Sequence, residues 1–357
     1  MGEILGLGLS HYPGPLVPGR FWARMLERNV KIGRVPPAAF ADKSRWPAEM
    51  RAEWADDEGA AAGEAHEARL LSGYERLRAE LDAFAPDLVL IWGDDQYENY
   101  RRECVPPWAV GIFDTVSSRP YQLGRGVFST NENPWGAAPE DVLEITGHRA
   151  AAAQLYRALI NAGFEAAYSL AFTHPHGLAH SFNNTVLFLD RERAGFPYPV
   201  IPVHVNCYGN QLLSTASEAM SEGGEVVTLP PPTPRRCFEL GAATARFFAA
   251  SPWRVALIGS ASFSHGSLTA KHERLYPDLA ADRARVDELS GGRWTGWGSL
   301  SPEAIDDAGQ NEILNWVALA GAMSVTSARC EIVDYVESYL FNSSKCFAVF
   351  RSSTKGS

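Results

Sequence analysis

The run Trp253-Arg254-Val255-Ala256-Leu257-Ile258-Gly259-Ser260-Ala261-Ser262-Phe263-Ser264-His265-Gly266 decides the fold. Its first half is apolar, with β-branched Val255 and Ile258, and reads as a buried strand. The Ser/Gly cluster that follows reads as the loop by which the chain leaves that strand. In open α/β sheets ligands sit in the crevice beyond the carboxyl ends of the strands. A histidine delivered there, His265, suits acid/base work because its ordinary pKa lies near neutrality. The chain opens in the same way: Glu3 to Leu9 is an apolar run that ends in Ser10-His11, with Pro13 and Gly14 behind it.

Outward from these two runs, strands alternate with helices. Asp87 to Trp92 is a strand that exits into Gly93-Asp94-Asp95-Gln96, and Pro199 to Val205 is another, interrupted by Pro202, that ends in His204-Val205-Asn206. Glu165 to Leu170 is a strand candidate. Glu64 to Phe84 repeats apolar residues at three- and four-residue steps and predicts an amphipathic helix stopped by Pro86. Further helices are predicted over Arg20–Arg28, from Pro139 to about Ala162, over Arg235–Ala250 and from Ser301 toward Met323. Residues 115–138 read as a loop over the sheet, and 34–60 as an irregular excursion. This alternation predicts an α/β fold with a mostly parallel, helix-sandwiched central sheet and an active site at the strand C-terminal ends. A single domain over 1–325 is expected, with 326–357 as a C-terminal extension for packing or oligomer contact.

Composition excludes several functions. The formal net charge of the 357 residues is -10, which disfavours nucleic acid and anionic membranes as partners and, more mildly, phosphate-rich substrates, for which a local basic pocket can override the net charge. The five cysteines are far apart and lack a CxxC pair, so a disulfide framework or thiolate zinc site is not expected. No signal peptide or membrane-spanning stretch is apparent, which predicts a cytoplasmic protein.

Four apolar runs thus end in polar clusters of one kind: Ser10-His11, Asp94-Asp95-Gln96, His204-Val205-Asn206 and Ser264-His265. Strand ends converge at one sheet edge, so these side chains can share a cleft, and a cleft of histidines and carboxylates suits a hard or borderline metal. Each histidine taken singly, including His180, is as readily a plain structural residue. Glu312 shares a helical face with Trp316, Leu319 and Met323, so its carboxylate lies on an apolar stripe, where it is either paired or reaching solvent. Trp92, Tyr97, Tyr100, Trp108 and Tyr208 are candidate pocket walls, though each fits an ordinary core equally well.

With those residues in hand, the chain resembles the class III extradiol ring-cleavage dioxygenases. The resemblance rests on Gly8-Leu9-Ser10-His11, on Trp92 to Gly111, and on Ala179-His180-Ser181-Phe182-Asn183-Asn184. It also rests on Ile201-Pro202-Val203-His204-Val205-Asn206, on Ser264-His265-Gly266, and on Asn311-Glu312 with Trp316 and Gly321-Ala322. It implies a mononuclear non-haem Fe(II), held by two histidines and a glutamate, with positions left for a catecholic substrate and O2. It makes His11 and Glu312 metal ligands, His265 the acid/base and His180 a residue that orients substrate or oxygen. Asn206, His204 and Tyr208 are its candidate substrate contacts.

One departure stands out. The family's second ligand histidine follows an Asn-Asp pair, whereas here Asp94-Asp95 is followed by Gln96. Gln96 through its amide oxygen, Asp95 or Asp94 as a carboxylate, or a histidine from another loop (His174, His176 or His204) are the replacements that remain open. The resemblance implies an oxygenase that opens a catecholic or aminophenolic ring, with a small aromatic substrate, O2 and a homo-oligomeric state. A metal-dependent hydrolase and a catalytically silent ligand-binding member are the competing readings, both prompted by the altered ligand set.

Overall fold

The computed structural model describes residues 2–101, 103–209 and 229–352. The strands are β1 (Ile4–Leu9), β2 (Leu88–Gly93), β3 (Trp108–Gly111), β4 (Thr115–Ser118), β5 (Leu143–Thr146), β6 (Ala167–Ser169), β7 (Val200–Val205), β8 (Val255–Ser260), β9 (Ala328–Val336) and β10 (Lys345–Ser352). Eight of them form one sheet in the order β6-β3-β7-β2-β8-β1-β10-β9, and β4 pairs with β5 in a separate ribbon. The central four, β7-β2-β8-β1, are parallel. All four are buried along their whole length, which is why they read as unbroken apolar runs rather than as alternating ones.

Helices cover both faces. Helix Ala60–Phe84 packs one face with Leu70, Tyr74, Leu77 and Leu81, and helix His180–Leu189 lies on the same side. Burying one such leucine contributes about 1.5–3 kcal/mol, so this stripe alone is a large share of the stability of that layer. Helices Arg149–Asn161, Pro234–Ala249 and Ile313–Ser324 cover the other face. Two glycines let the last pair touch: a Cβ on Gly241 would lie 1.7 Å from the Ala318 carbonyl oxygen, and one on Gly321 1.9 Å from that of Phe238.

Four expectations change. Pro139 to Ala162 is not one helix: β5 takes Leu143–Thr146, and the helix begins only at Arg149, where His148 Nδ1 accepts from the Ala151 N–H. The 115–138 stretch holds β4 and a helix, Gln122–Phe128. Pro202 does not interrupt β7. The β3 ladder pairs Val110 with Val203 and stops short of the proline, and Gly111 leaves room there, since a Cβ on it would meet the Pro202 ring at 2.6 Å. Finally, the chain after 325 supplies β9 and β10, with β10 hydrogen-bonded antiparallel to β1, so through Ser352 it belongs to the sheet; residues 353–357 lie outside the described residues. Among the described residues no helix is long and apolar enough to cross a membrane.

Candidate metal centre

The parallel register brings the strand ends level. Leu9 of β1 lies beside Ser260 of β8, and Trp92 of β2 beside Gly259. The next residues of each chain segment therefore leave the sheet at the same edge, and His11, Asp94 and the 262–265 loop meet there. Three of the four strand-end clusters converge as expected. The fourth does not: His204 stays within β7, at the level of Gly93, with its ring 4.9 Å from that of Tyr100.

His11 is buried and aimed. Its Nδ1 donates to the Ser260 carbonyl oxygen at 3.0 Å, with Ser260 Oγ at 3.1 Å. That bond fixes the tautomer and leaves Nε2 as the ligating nitrogen. Nε2 lies 3.4 Å from Asp94 Oδ1 and 3.4 Å from Glu312 Oε2. The loop is held from behind by Asn184 Nδ2, which donates to the His11 carbonyl, and by the Tyr74 hydroxyl, which donates to that of Ser10.

Glu312 sits immediately before helix Ile313–Ser324 rather than on its apolar face. The residue is 1% exposed and occupies the N-cap position of that helix without a side-chain capping bond. Oε1 accepts from the Tyr208 hydroxyl and lies 3.4 Å from His265 Nε2, whereas Oε2 is buried without a hydrogen-bond donor. Burial alone would raise its pKa, but His265, His11 and the Tyr208 hydroxyl outweigh this and hold it well below the usual carboxylate range. Burial, and then the neighbouring Glu312 charge, push Asp94 up to about 6. His11 is desolvated, yet Glu312 and Asp94 raise its pKa. One oxygen of each carboxylate thus lies 3.4 Å from the His11 imidazole.

His180 opens its helix and contributes a ring edge-on to His11, with centroids 5.1 Å apart. Its ligating atom lies within 4.8 Å of those of His11 and Asp94, so His11, Asp94 and His180 can also hold a metal. Its Nδ1 bonds Glu98 Oε2 at 2.7 Å, and its backbone N–H donates to the same carboxylate. Burial works against protonation, but Glu98 prevails and pushes His180 up to about 10, while Glu98 itself falls below its ordinary value despite burial.

His265 Nδ1 donates to the Phe263 carbonyl at 3.1 Å, which leaves Nε2 as the nitrogen that faces Glu312. Asp282, buried in the core, accepts from the Ser264 N–H and hydroxyl and from Gln310 Nε2, fixing the turn that carries His265.

The remaining candidates separate cleanly. Asp95 turns away: its carboxylate accepts from the backbone N–H of Glu98, Asn99 and Tyr100, so it holds the loop together, and the aspartate at the cluster is Asp94. Gln96 does face the cluster, with Nε2 at 3.4 Å from Asp94, Tyr208 and Glu312. Tyr208 joins the site. His204 and Asn206 do not: burial pushes the His204 imidazole down to about 3, and Asn206 Oδ1 accepts from the Tyr208 N–H. His174 and His176 lie outside the cluster. Of the aromatic wall candidates only Tyr208 lines the cavity; Tyr12 lines it too, and Trp92 and Trp108 are core.

The cavity above the cluster measures about 290 Å³. His11, His180, His265, Gln96, Glu98 and Glu312 form its polar part, and Met25, Leu123, Val127 and Leu268 give it apolar walls. Glu98, Arg28 and Arg34 were not legible as site residues. Nothing in their sequence neighbourhoods separates them from surface charges.

Comparison with known proteins adds the lineage. Residues 224–349 match the family model described as the catalytic LigB subunit of aromatic ring-opening dioxygenase. A 2,3-dihydroxyphenylpropionate/2,3-dihydroxicinnamic acid 1,2-dioxygenase of Photorhabdus laumondii is 24% identical over 57% of this chain and 50% of its own length. One from Pseudomonas putida is 27% identical over 66% of this chain and 59% of its own, and one from Paraburkholderia phymatum 25% identical over 72% and 82%. The chain thus spans between half and three fifths of the first two. Among solved structures, an uncharacterized protein of Escherichia coli K12 aligns with a TM-score of 0.42 and 11% identity, over 78% of this chain and 91% of that one.

Proposed function

We propose that the chain is a member of the class III extradiol ring-cleavage dioxygenase family, supported by the family-model match and the dioxygenase relatives, and that it opens a catechol ring with O2 at the His11–Glu312 cluster. The observation that carries this is the pair of buried carboxylates, each 3.4 Å from His11 Nε2. His11, Asp94 and Glu312 would hold Fe(II), with Asp94 in the place of the family's second histidine. His180 is the less apt ligand, because Glu98, outside the cluster, favours its imidazolium form. For His11 the raising charges are the would-be co-ligands themselves, so a metal ion replaces the proton. A set of two carboxylates and one imidazole is harder than the family's and leaves open positions.

When bound, Fe(II) supplies the electron path between ring and dioxygen. The chain's own residues do the rest. His265 accepts a proton from a catechol hydroxyl at Nε2, since Nδ1 is committed to Phe263. His180, kept as imidazolium by Glu98, donates a hydrogen bond to charge that develops above His11. Tyr208 orients Glu312, and the apolar walls clamp the ring. The relatives' names favour a 2,3-dihydroxyphenyl compound as the substrate class.

The test is the iron content of protein purified without oxygen, followed by O2 uptake with a panel of catechols. Near-stoichiometric iron is expected, with uptake lost in His11→Ala and Glu312→Ala. Protein that neither binds iron nor consumes O2 when Fe(II) is added would overturn the reading.

A further inference from the structure

Helix His180–Leu189 buries four polar side chains, Ser181, Asn183, Asn184 and Thr185. Residues of these types are mostly exposed, and burying them costs free energy unless each is hydrogen-bonded. Three of them hold backbone. The Ser181 hydroxyl donates to the Asp94 carbonyl at 2.6 Å, Asn184 Nδ2 to that of His11, and Asn183 Nδ2 to that of Leu178. Thr185 is different. Its hydroxyl donates to the Ser181 carbonyl one turn back, at 2.7 Å, and lies 2.7 Å from Ser260 Oγ. Ser260 Oγ in turn lies 3.1 Å from His11 Nδ1.

Counting protons gives this chain a direction. A hydroxyl has one proton to donate and lone pairs with which to accept. The Thr185 proton is committed to Ser181, so at the next contact the Ser260 hydroxyl donates to Thr185. Ser260 Oγ can then only accept from His11, which puts a proton on Nδ1. The Ser260 carbonyl oxygen, 3.0 Å from the same nitrogen, is also only an acceptor and requires the same proton. The donors therefore run one way, from the imidazole through the Ser260 and Thr185 hydroxyls to the Ser181 carbonyl. Hydrogen bonds in such a series polarise one another.

We propose that Thr185 is a positioning residue for His11, acting through Ser260 Oγ to hold the ring with its proton on Nδ1 and its Nε2 turned toward Asp94 and Glu312. The proposal rests on the reading of His11 as a metal ligand and deepens it by naming what orients that ligand. Without the Thr185 acceptor, the Ser260 hydroxyl is free to turn its own proton toward His11 Nδ1. That proton competes with the Nδ1 proton that leaves Nε2 free for a metal ion. Outer groups of this kind fix the tautomer and orientation of a ligating imidazole and raise its basicity.

The experiment measures Fe(II) affinity without oxygen in the native protein, in Thr185→Val, Thr185→Ser and Ser260→Ala, and in the Thr185→Val/Ser260→Ala double variant. Valine keeps the branched shape of threonine without its hydroxyl and should weaken Fe(II) binding about tenfold, the scale of loss for groups that support ligands. Serine restores the hydroxyl and should restore most of the affinity. Because Thr185 acts only through Ser260, the double variant should lose no more than Ser260→Ala alone. Unchanged affinity in Thr185→Val, an equal loss in Thr185→Ser, or losses that multiply in the double variant overturns the proposal. Thr185→Ala replaces the valine variant should that one fail to fold. A second arm needs no metal. In metal-free protein with 15N-labelled histidine, the Nδ1 proton signal of His11 should move in Thr185→Val and return in Thr185→Ser, although the residue 185 hydroxyl bonds Ser260 and Ser181 rather than the ring. If native protein binds no Fe(II), the metal reading fails and this arm still decides: one signal position shared by all three proteins refutes the relay.

Discussion

At the residue scale, two adjacent aspartates have opposite roles. Asp94 points its carboxylate at His11, while Asp95 gathers three backbone N–H groups of the next turn. Residue type is identical and spacing differs by one, so only the course of the loop after β2 assigns them. Asp94→Asn removes an anionic donor but keeps the shape, and metal affinity is expected to fall at least tenfold, by analogy with the tenfold to hundredfold losses seen even for groups that merely support ligands. Asp95→Ala strands buried donors instead, at about 1–3 kcal/mol for each group left unpaired. It should lower the unfolding midpoint yet leave a folded protein that still binds one metal ion. Metal titration and chemical denaturation of both variants separate the two roles; the reverse pattern would return the ligand assignment to Asp95.

At the scale of elements, the position of Glu312 depends on how its helix is seated. Helix Ile313–Ser324 lies against helix Pro234–Ala249 with backbone touching backbone at Gly241 and Gly321, and Trp316 lies flat where Gly8 leaves room on β1. Gly321→Ala puts a methyl group 1.9 Å from a carbonyl oxygen that has no side-chain freedom to yield. The helices must separate, which costs ~1–3 kcal/mol or more as overpacking, and Glu312 shifts with them. Metal affinity should fall along with thermal stability, although residue 321 touches no ligand. Gly126→Ala is the control: in helix Gln122–Phe128 nothing lies within 4 Å of the new Cβ, and stability should rise by ~0.4–1 kcal/mol. Such seating was invisible in the chain. Periodicity marked the Glu64–Phe84 and Arg235–Ala250 helices to within a few residues, because one apolar face is a local property. The helix-start signal at Pro139 misplaced Leu143–Thr146, whose short strand is fixed by its partner β4 rather than by its own pattern.

At the scale of the whole molecule, the last strands complete the site that the first strand begins. β1 lies between β8 and β10, so the chain's opening and closing segments are neighbours in the sheet. Strand-end histidines were legible because a parallel sheet gathers them at one edge, whereas the return of residues 328–352 to β1 is a long-range pairing that no local pattern announces. The approach to β10 also holds the His265 turn: Phe263 N–H donates to the Ser344 carbonyl, and Ser267 N–H to Asn342 Oδ1. Lys345 fastens that approach from inside, donating to the Phe341 and Ser343 carbonyls with its ammonium 3.9 Å from the centre of the Tyr12 ring. Burial pushes Lys345 down to about 7, against the pull of Glu53 and Asp282. Its ordinary value is about 10.4, so between roughly pH 7 and pH 10 the unfolded chain binds more protons at this residue than the folded one. Stability from this group therefore rises with pH across that window. Asp282, pushed up by burial only to about 6, and His66, lowered to about 3, titrate below this window. Burial raises Cys346 and Tyr12, whose contributions fall as pH rises toward 10, so the Lys345 contribution is read as a difference between native protein and variant. Lys345→Met removes the ionisation but keeps most of the apolar stem. Between pH 7 and pH 10 the denaturant midpoint of the native protein should shift upward relative to that of the variant, and parallel profiles would show that Lys345 keeps its ordinary proton affinity in the fold.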